Sequence, residues 1–169
     1  MQNVNESKKN QFKAAVKNKE IIELLDELMD KSLRHYNKRL LSIVVFGSYA
    51  SNLSTCESDL DVIIILQSTK KSNYEKYNEY YQIENQLNTL KEITKHRPNF
   101  HISPIIKNFN ELRPELPYLW SEQFTIIYDK SNTFKEFALK LKKFKDDNKI
   151  DCVNKSMPYY KMNNIINKL

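Results

Sequence analysis

Apolar positions recur along the chain with two different periods, and the changes between them outline its elements. From Lys19 to about Tyr36, Ile21, Ile22, Leu25, Leu28, Met29 and Leu33 return at helical spacing, which predicts an amphipathic helix packed on a sheet. Two strand-sized segments follow, Leu41–Phe46 and Asp59–Leu66, and the nearly unbroken apolar character of the first suits a strand covered on both faces. Between them Gly47 and Ser48 mark a sharp turn, and Tyr49–Leu53 has the length of one helical turn. Beyond the polar loop Gln67–Asn73, Tyr77, Tyr80, Ile83, Leu87 and Leu90 line one stripe of a long helix predicted over Tyr74–Lys95 and stopped by Pro98. Asn99–Ile106 alternates Phe100 and Ile102 inward with His101 and Ser103 outward. That is a third strand, which Pro104 places near a sheet edge or a strand end. Glu115–Gln123 predicts a short helix holding Trp120, and Phe124–Tyr128 a fourth strand. Thr133–Lys145 predicts an amphipathic helix with Phe134, Phe137, Ala138, Leu141 and Phe144 on its apolar side, and Met157–Leu169 one more helix. Residues up to about Asn18 are polar and lysine-rich. The length predicts a single domain over residues 1–169, with a core at about 19–130 and a helical extension at about 131–169.

The stretch from Leu40 to Leu66 carries candidate chemistry. The chain has a single glycine in 169 residues, Gly47, where average usage of about 7% would supply roughly a dozen. Glycine permits positive φ and close approach of the backbone to a ligand, so the one position that keeps it points to such a need. Asp59 and Asp61 stand at i and i+2, which on a strand turns both carboxylates to one face. Like charges side by side repel and raise each other's pKa, and a divalent cation between them would remove the repulsion. A helical turn after Gly47 would leave backbone N–H groups near Ser48, a ready anion site.

Composition changes this picture little. With 40% hydrophobic and 28% charged residues the chain reads as soluble and globular, no apolar run reaches the roughly eighteen residues of a membrane span, and the N-terminus lacks the apolar centre of a signal peptide. The expected location is the cytoplasm. Cys56 and Cys152 have no C-x-x-C spacing and no histidine cluster, so neither a disulfide framework nor a zinc site is indicated, and no histidine is near Cys56 in sequence to activate it. The net charge of +6 admits a polyanionic partner. Lys135, Lys140, Lys142, Lys143 and Lys145 form the one outstanding cluster, readable as a solvated helix face or as an attraction to nucleotide phosphates or RNA.

Gly47-Ser48, ten residues, then Asp59-Leu60-Asp61 resembles the G-S-x(10)-D-x-D signature of the DNA polymerase β-like nucleotidyltransferase superfamily. The phrase VVFGSYASN…ESDLDVIII is most similar to the minimal nucleotidyltransferase branch found beside HEPN-domain proteins in prokaryotic toxin–antitoxin pairs, and the likeness extends diffusely over about Leu41–Asp129. The resemblance implies an α/β fold, a small mixed sheet flanked by helices. It implies that Gly47 and Ser48 hold the triphosphate of an NTP, ATP foremost, that Asp59 and Asp61 hold Mg2+, and that a nucleoside monophosphate passes to a hydroxyl on a protein, RNA or small molecule. A HEPN-type partner tyrosine is the acceptor the branch suggests, and tRNA is the acceptor the basic charge would serve. Family members also carry a third carboxylate on a later strand. The matching segment here, Asn99–Ile106, holds no Asp or Glu. His101 lies on the polar face at that place, with Asn99 the other candidate, and a histidine can serve as general base near neutral pH. The competing reading is a catalytically degenerate fold that acts as a binding or antitoxin module by contact.

Overall fold

Asn18 starts the first helix of the described residues: its side-chain oxygen accepts from the backbone N–H of Glu20 at 3.0 Å and of Ile21 at 3.4 Å. This N-cap opens α1 (Lys19–Tyr36), whose Ile21, Leu24, Leu25 and Leu28 are fully buried. The computed structural model describes residues 18–121, 123–148, 150–152 and 160–162. The polar segment before Asn18 lies outside them.

A sheet of four strands forms the centre, in the order β3 (Ile102–Asn108), β2 (Leu60–Leu66), β1 (Leu40–Val45), β4 (Thr125–Asp129). β1 runs antiparallel to β2 and β4, with Val44 opposite Ile63 and Ile126; β2 runs parallel to β3, with Leu60 opposite Ile102 and Asp61 opposite Ser103. The mixed α/β architecture is the one the resemblance implies. β3 is an edge strand, which is where Pro104, with no N–H to donate, is tolerated. Strand alternation divides the core in two. Leu60, Val62, Ile64 and Leu66 join α1 and the residues Tyr80, Ile83, Leu87 and Ile93 on one face, while Ile63 and Ile65 meet Phe134, Phe137 and Leu141 of α5 (Thr133–Asp147) on the other. Asp129 closes the end of β4 by accepting from Ser42 Oγ at 2.7 Å and from the N–H of Phe134 and Lys135, which ties β1 to the start of α5.

The long helix over Tyr74–Lys95 does not form as one piece. Instead α3 (Asn73–Glu84) ends, three residues turn, and α4 (Asn88–His96) begins. Glu27 of α1 accepts from the N–H groups of Asn88 (3.0 Å) and Thr89 (2.9 Å), satisfying the new helix start, and the turn buries Leu87 completely. A continuous helix would lose both and carry residues 88–96 away from α1. The segment Glu115–Gln123 is likewise shorter than a helix: Pro117–Trp120 make a single 3-10 turn, anchored by Trp120 Nε1 donating to Pro114 O at 2.8 Å. At the tail, Ile150–Cys152 (β5) and Tyr160–Met162 (β6) pair antiparallel. The helix expected from Met157 is therefore wrong at Tyr160–Met162, where pairing with a strand eight residues upstream satisfies the backbone; its other positions lie outside the described residues. Among the described residues no helix is long and apolar enough to cross a membrane.

Candidate functional site

The site is built where β1 leaves the sheet and β2 and β3 enter it. Phe46 leaves β1 extended, and Gly47 then takes φ +67° to start the four-residue helix α2 (Gly47–Ala50). Only glycine reaches that φ without strain. A second demand falls on the same atom position: a Cβ on Gly47 would collide with Asp61 Oδ2 and lie 3.3 Å from its Cγ. The absent side chain is thus the space that the Asp61 carboxylate occupies. Ser48 is half-buried beside it, and Tyr49 and Ala50 turn into the core. The helical turn expected over Tyr49–Leu53 starts two residues earlier, and Leu53 N–H closes it onto Ser48 O at 2.9 Å.

Asp59 precedes β2 and Asp61 is its second residue, so alternation directs both to the face that carries Ile63 further in. Because β3 lies parallel and in register, His101 stands beside Asp59 and Ser103 beside Asp61. His101 Nδ1 is 3.0 Å from Asp59 Oδ1 and 3.2 Å from Asn99 O, and its ring is largely exposed. Burial, reinforced by the neighbouring charge of Asp59, pushes the Asp61 carboxyl above its usual range, against a smaller opposite pull from His101. The structure therefore gathers Gly47, Asp59, Asp61 and His101 at one mouth of the sheet, next to Ser48. A half-buried Asp61 carboxyl pushed up beside the Asp59 carboxylate is a chemical fit for a divalent cation, which prefers oxygen donors. Among the described residues no set of three or more His, Cys, Asp or Glu side chains converges as a complete metal cage.

Two residues that periodicity does not flag belong to this region. Arg97 ends α4 and donates to the carbonyls of Cys56 and Ser58 and to the Tyr49 hydroxyl. Glu84, the last residue of α3, is a half-buried carboxyl pushed up by burial, opposed by a hydrogen bond from the buried Tyr80 hydroxyl at 3.2 Å and by the charge of His101. It is an acidic group from a helix, in electrostatic reach of the histidine, where β3 itself supplies none. Only a Pro after Arg97 hinted at either. Of the lysine cluster, Lys135, Lys140, Lys142 and Lys143 are exposed, whereas Lys145 turns back to donate to Trp120 O at 3.2 Å. Cys56 is an exposed free thiol whose carbonyl, not its sulfur, is engaged.

Known proteins resemble this chain. The family profile described as "Nucleotidyltransferase domain" covers residues 21–153. The protein named "Putative protein adenylyltransferase MJ1305" of Methanocaldococcus jannaschii is 27% identical over 124 residues, 70% of this chain and 79% of that one. Among solved structures, a toxin–antitoxin crystal structure with AMP-PNP aligns at TM-score 0.49 with 15% identity, over 73% of this chain and 87% of that one. A complex described as tri-AMPylated Shewanella oneidensis HEPN toxin with MNT antitoxin aligns at TM-score 0.46 with 17% identity, over 73% and 86%.

Proposed function

This chain belongs to the nucleotidyltransferase domain family, and from that premise we propose that it moves the AMP moiety of magnesium-bound ATP onto a hydroxyl of a partner protein in a toxin–antitoxin pair. The observation that carries the reading is the pairing of Asp59 with a half-buried Asp61 against the bare Cα of Gly47, a cradle that a Cβ would fill. Asp59 and Asp61 would hold Mg2+, with the remaining ligands from the nucleotide phosphates and water. When bound, the ion supplies charge neutralisation at the α-phosphoryl group.

Gly47 and Ser48 would bind the triphosphate, the first by letting the backbone approach and the second by its hydroxyl. His101 acts on the acceptor. With its Nδ1 held by Asp59 Oδ1 at 3.0 Å, the other ring nitrogen, Nε2, is left to take the proton of the attacking hydroxyl. That oxygen bonds the α-phosphorus as the bond to the bridging oxygen breaks, and pyrophosphate leaves. The catalytic unit assigned to this work is about 19–130, with 131–169 an extension of one domain. A tyrosine of a HEPN-type partner is the acceptor the resemblance favours, and one similar complex is described as an AMPylated HEPN toxin with an MNT antitoxin.

Calorimetric titration of ATP, CTP, GTP and UTP into the wild type and Asp61→Ala, with and without Mg2+, tests the site. The expected result is Mg2+-dependent ATP binding lost in Asp61→Ala while thermal unfolding stays cooperative. Absence of NTP binding by the wild type would leave a module that neutralises its partner by contact, a reading that the missing carboxylate on β3 favours. Binding followed by labelling of RNA rather than protein would redirect the acceptor to tRNA and give the exposed lysines of α5 a role.

A further inference from the structure

The loop that joins the Gly47 turn to Asp59 has almost nothing to hold it by packing. Residues 52–57 are all exposed, Leu53 at 55%, so burial contributes little to its shape. It has local bonds of its own, Thr55 N–H to Ser58 Oγ at 2.9 Å and Ser58 N–H to Thr55 O at 3.2 Å, and these close a turn without aiming it. Aim comes from Arg97. Its Nε and Nη2 donate to Cys56 O at 3.1 and 2.9 Å, Nη2 also to Ser58 O at 3.4 Å, and Nη1 and Nη2 reach Tyr49 Oη at 3.3 and 3.2 Å. The guanidinium lies over the Phe100 ring, 4.5 Å from its centroid, and Tyr49 meets that ring edge-on.

One planar group therefore contacts three separate carriers of the site: Tyr49 next to Ser48, Ser58 next to Asp59, and Phe100 next to His101. Its own position is set by sequence. Pro98 bars residue 97 from helical geometry, so Arg97 leaves α4 at φ −134°, ψ 75°, still tethered by its N–H to Ile93 O at 2.9 Å. Lysine could not substitute, since a single ammonium lacks the fork that spans two carbonyls and a hydroxyl while stacking on a ring.

We infer that Arg97 is a positioning residue of the nucleotidyl-transfer site: it orients the 51–58 loop so that Asp59 meets Asp61 and His101 in cation-binding geometry. Each of its three nitrogens already donates to a protein oxygen, so it acts through Asp59 and not on phosphate. The inference rests on the reading of Asp59 and Asp61 as cation ligands.

The test uses Mn2+ as the probe, followed by electron paramagnetic resonance without nucleotide, in the wild type, Arg97→Ala, Arg97→Lys and Asp59→Ala, with thermal melts and MgATP calorimetry alongside. Loss of outer partners of metal ligands typically weakens metal affinity 10- to 100-fold. Half-saturation by Mn2+ should therefore rise about tenfold or more in Arg97→Ala, with little rescue in Arg97→Lys, at temperatures where both remain folded. Should the alanine variant not fold, the lysine variant decides. A residue that only stabilises the loop would lower the melting temperature and leave the Mn2+ affinity of the folded protein unchanged, which overturns the inference. Normal Mn2+ affinity with weakened MgATP binding would overturn it too, by making Arg97 a phosphate ligand. If Asp59→Ala binds Mn2+ like the wild type, the cation reading itself fails and takes this inference with it; normal loss in Asp59→Ala with none at Arg97 refutes the Arg97 role alone.

Discussion

Gly47 answers two demands at once, a left-handed backbone at φ +67° and the room taken by the Asp61 carboxylate. Each would be violated by a single methyl group. In Gly47→Ala the backbone strain alone costs roughly 1–2 kcal/mol, and the new Cβ must displace Asp61, so Mg2+-dependent ATP binding should fall far more than stability does. Urea unfolding and calorimetry on the same variant check the two effects; intact ATP binding would show that the Asp61 position is not what the glycine protects. At this scale much was legible beforehand. The acidic pair, the lone glycine and the outward His101 all sit in local patterns, where period-2 alternation decides the facing of a side chain before any packing does. Arg97 and Glu84 were not, because what they do depends on partners elsewhere in the chain: Cys56 lies forty-one residues from Arg97, and Glu84 feels His101 from another element.

Among the elements, α3 is held by charges at its buried end. Lys76 is 1% exposed, yet its ammonium meets Glu111 at 2.8 Å in the 3-10 turn that follows β3, and Glu111 also accepts from the N–H and side-chain amide of Asn108. The pair is asymmetric, since the Glu111 side chain retains 36% exposure. Removing the carboxylate strands a buried cation, whereas removing the cation leaves a carboxylate that still has water and Asn108. Glu111→Ala should therefore cost roughly 3 kcal/mol, and Lys76→Met, which keeps the stem, less than about 1 kcal/mol. Equal losses in chemical denaturation would refute the asymmetry. The break between α3 and α4 follows the same logic of distant partners. Periodicity continued through Leu87 and Leu90, but Glu27 offered acceptors for a second helix start, and that offer is invisible until α1 is in place.

For the whole molecule, three carboxylates tie the helical layer together: Glu27 joins α1 to α4, Glu79 joins α3 to Arg39 and Lys71, and Glu111 joins the end of β3 to α3. For Glu79 and Glu111, burial alone would raise the carboxyl. Hydrogen bonds from Arg39 and Lys71, and from Lys76 and Asn108, outweigh it and hold both below the usual 4.5. A folded-state pKa below the unfolded one contributes stability that is present above about pH 4.5 and is lost as pH falls through the folded value. Thermal melts from pH 7 to pH 3 should thus show the wild type losing its lead over Glu79→Gln below about pH 4.5, and a gap that stays constant with pH would refute the coupling. The sequence by itself determined the helices and strands with strong periods, the Gly-Ser turn, and the acidic pair on one strand face, because those follow from backbone geometry over a few residues. Tertiary structure alone decided where the long helix breaks, that the described part of the tail pairs as strands, and that His101 Nδ1 closes on Asp59 while Arg97 holds the loop that precedes Asp59. Those outcomes depend on donors and acceptors of different elements finding each other, and on the cost of leaving any of them buried without a partner.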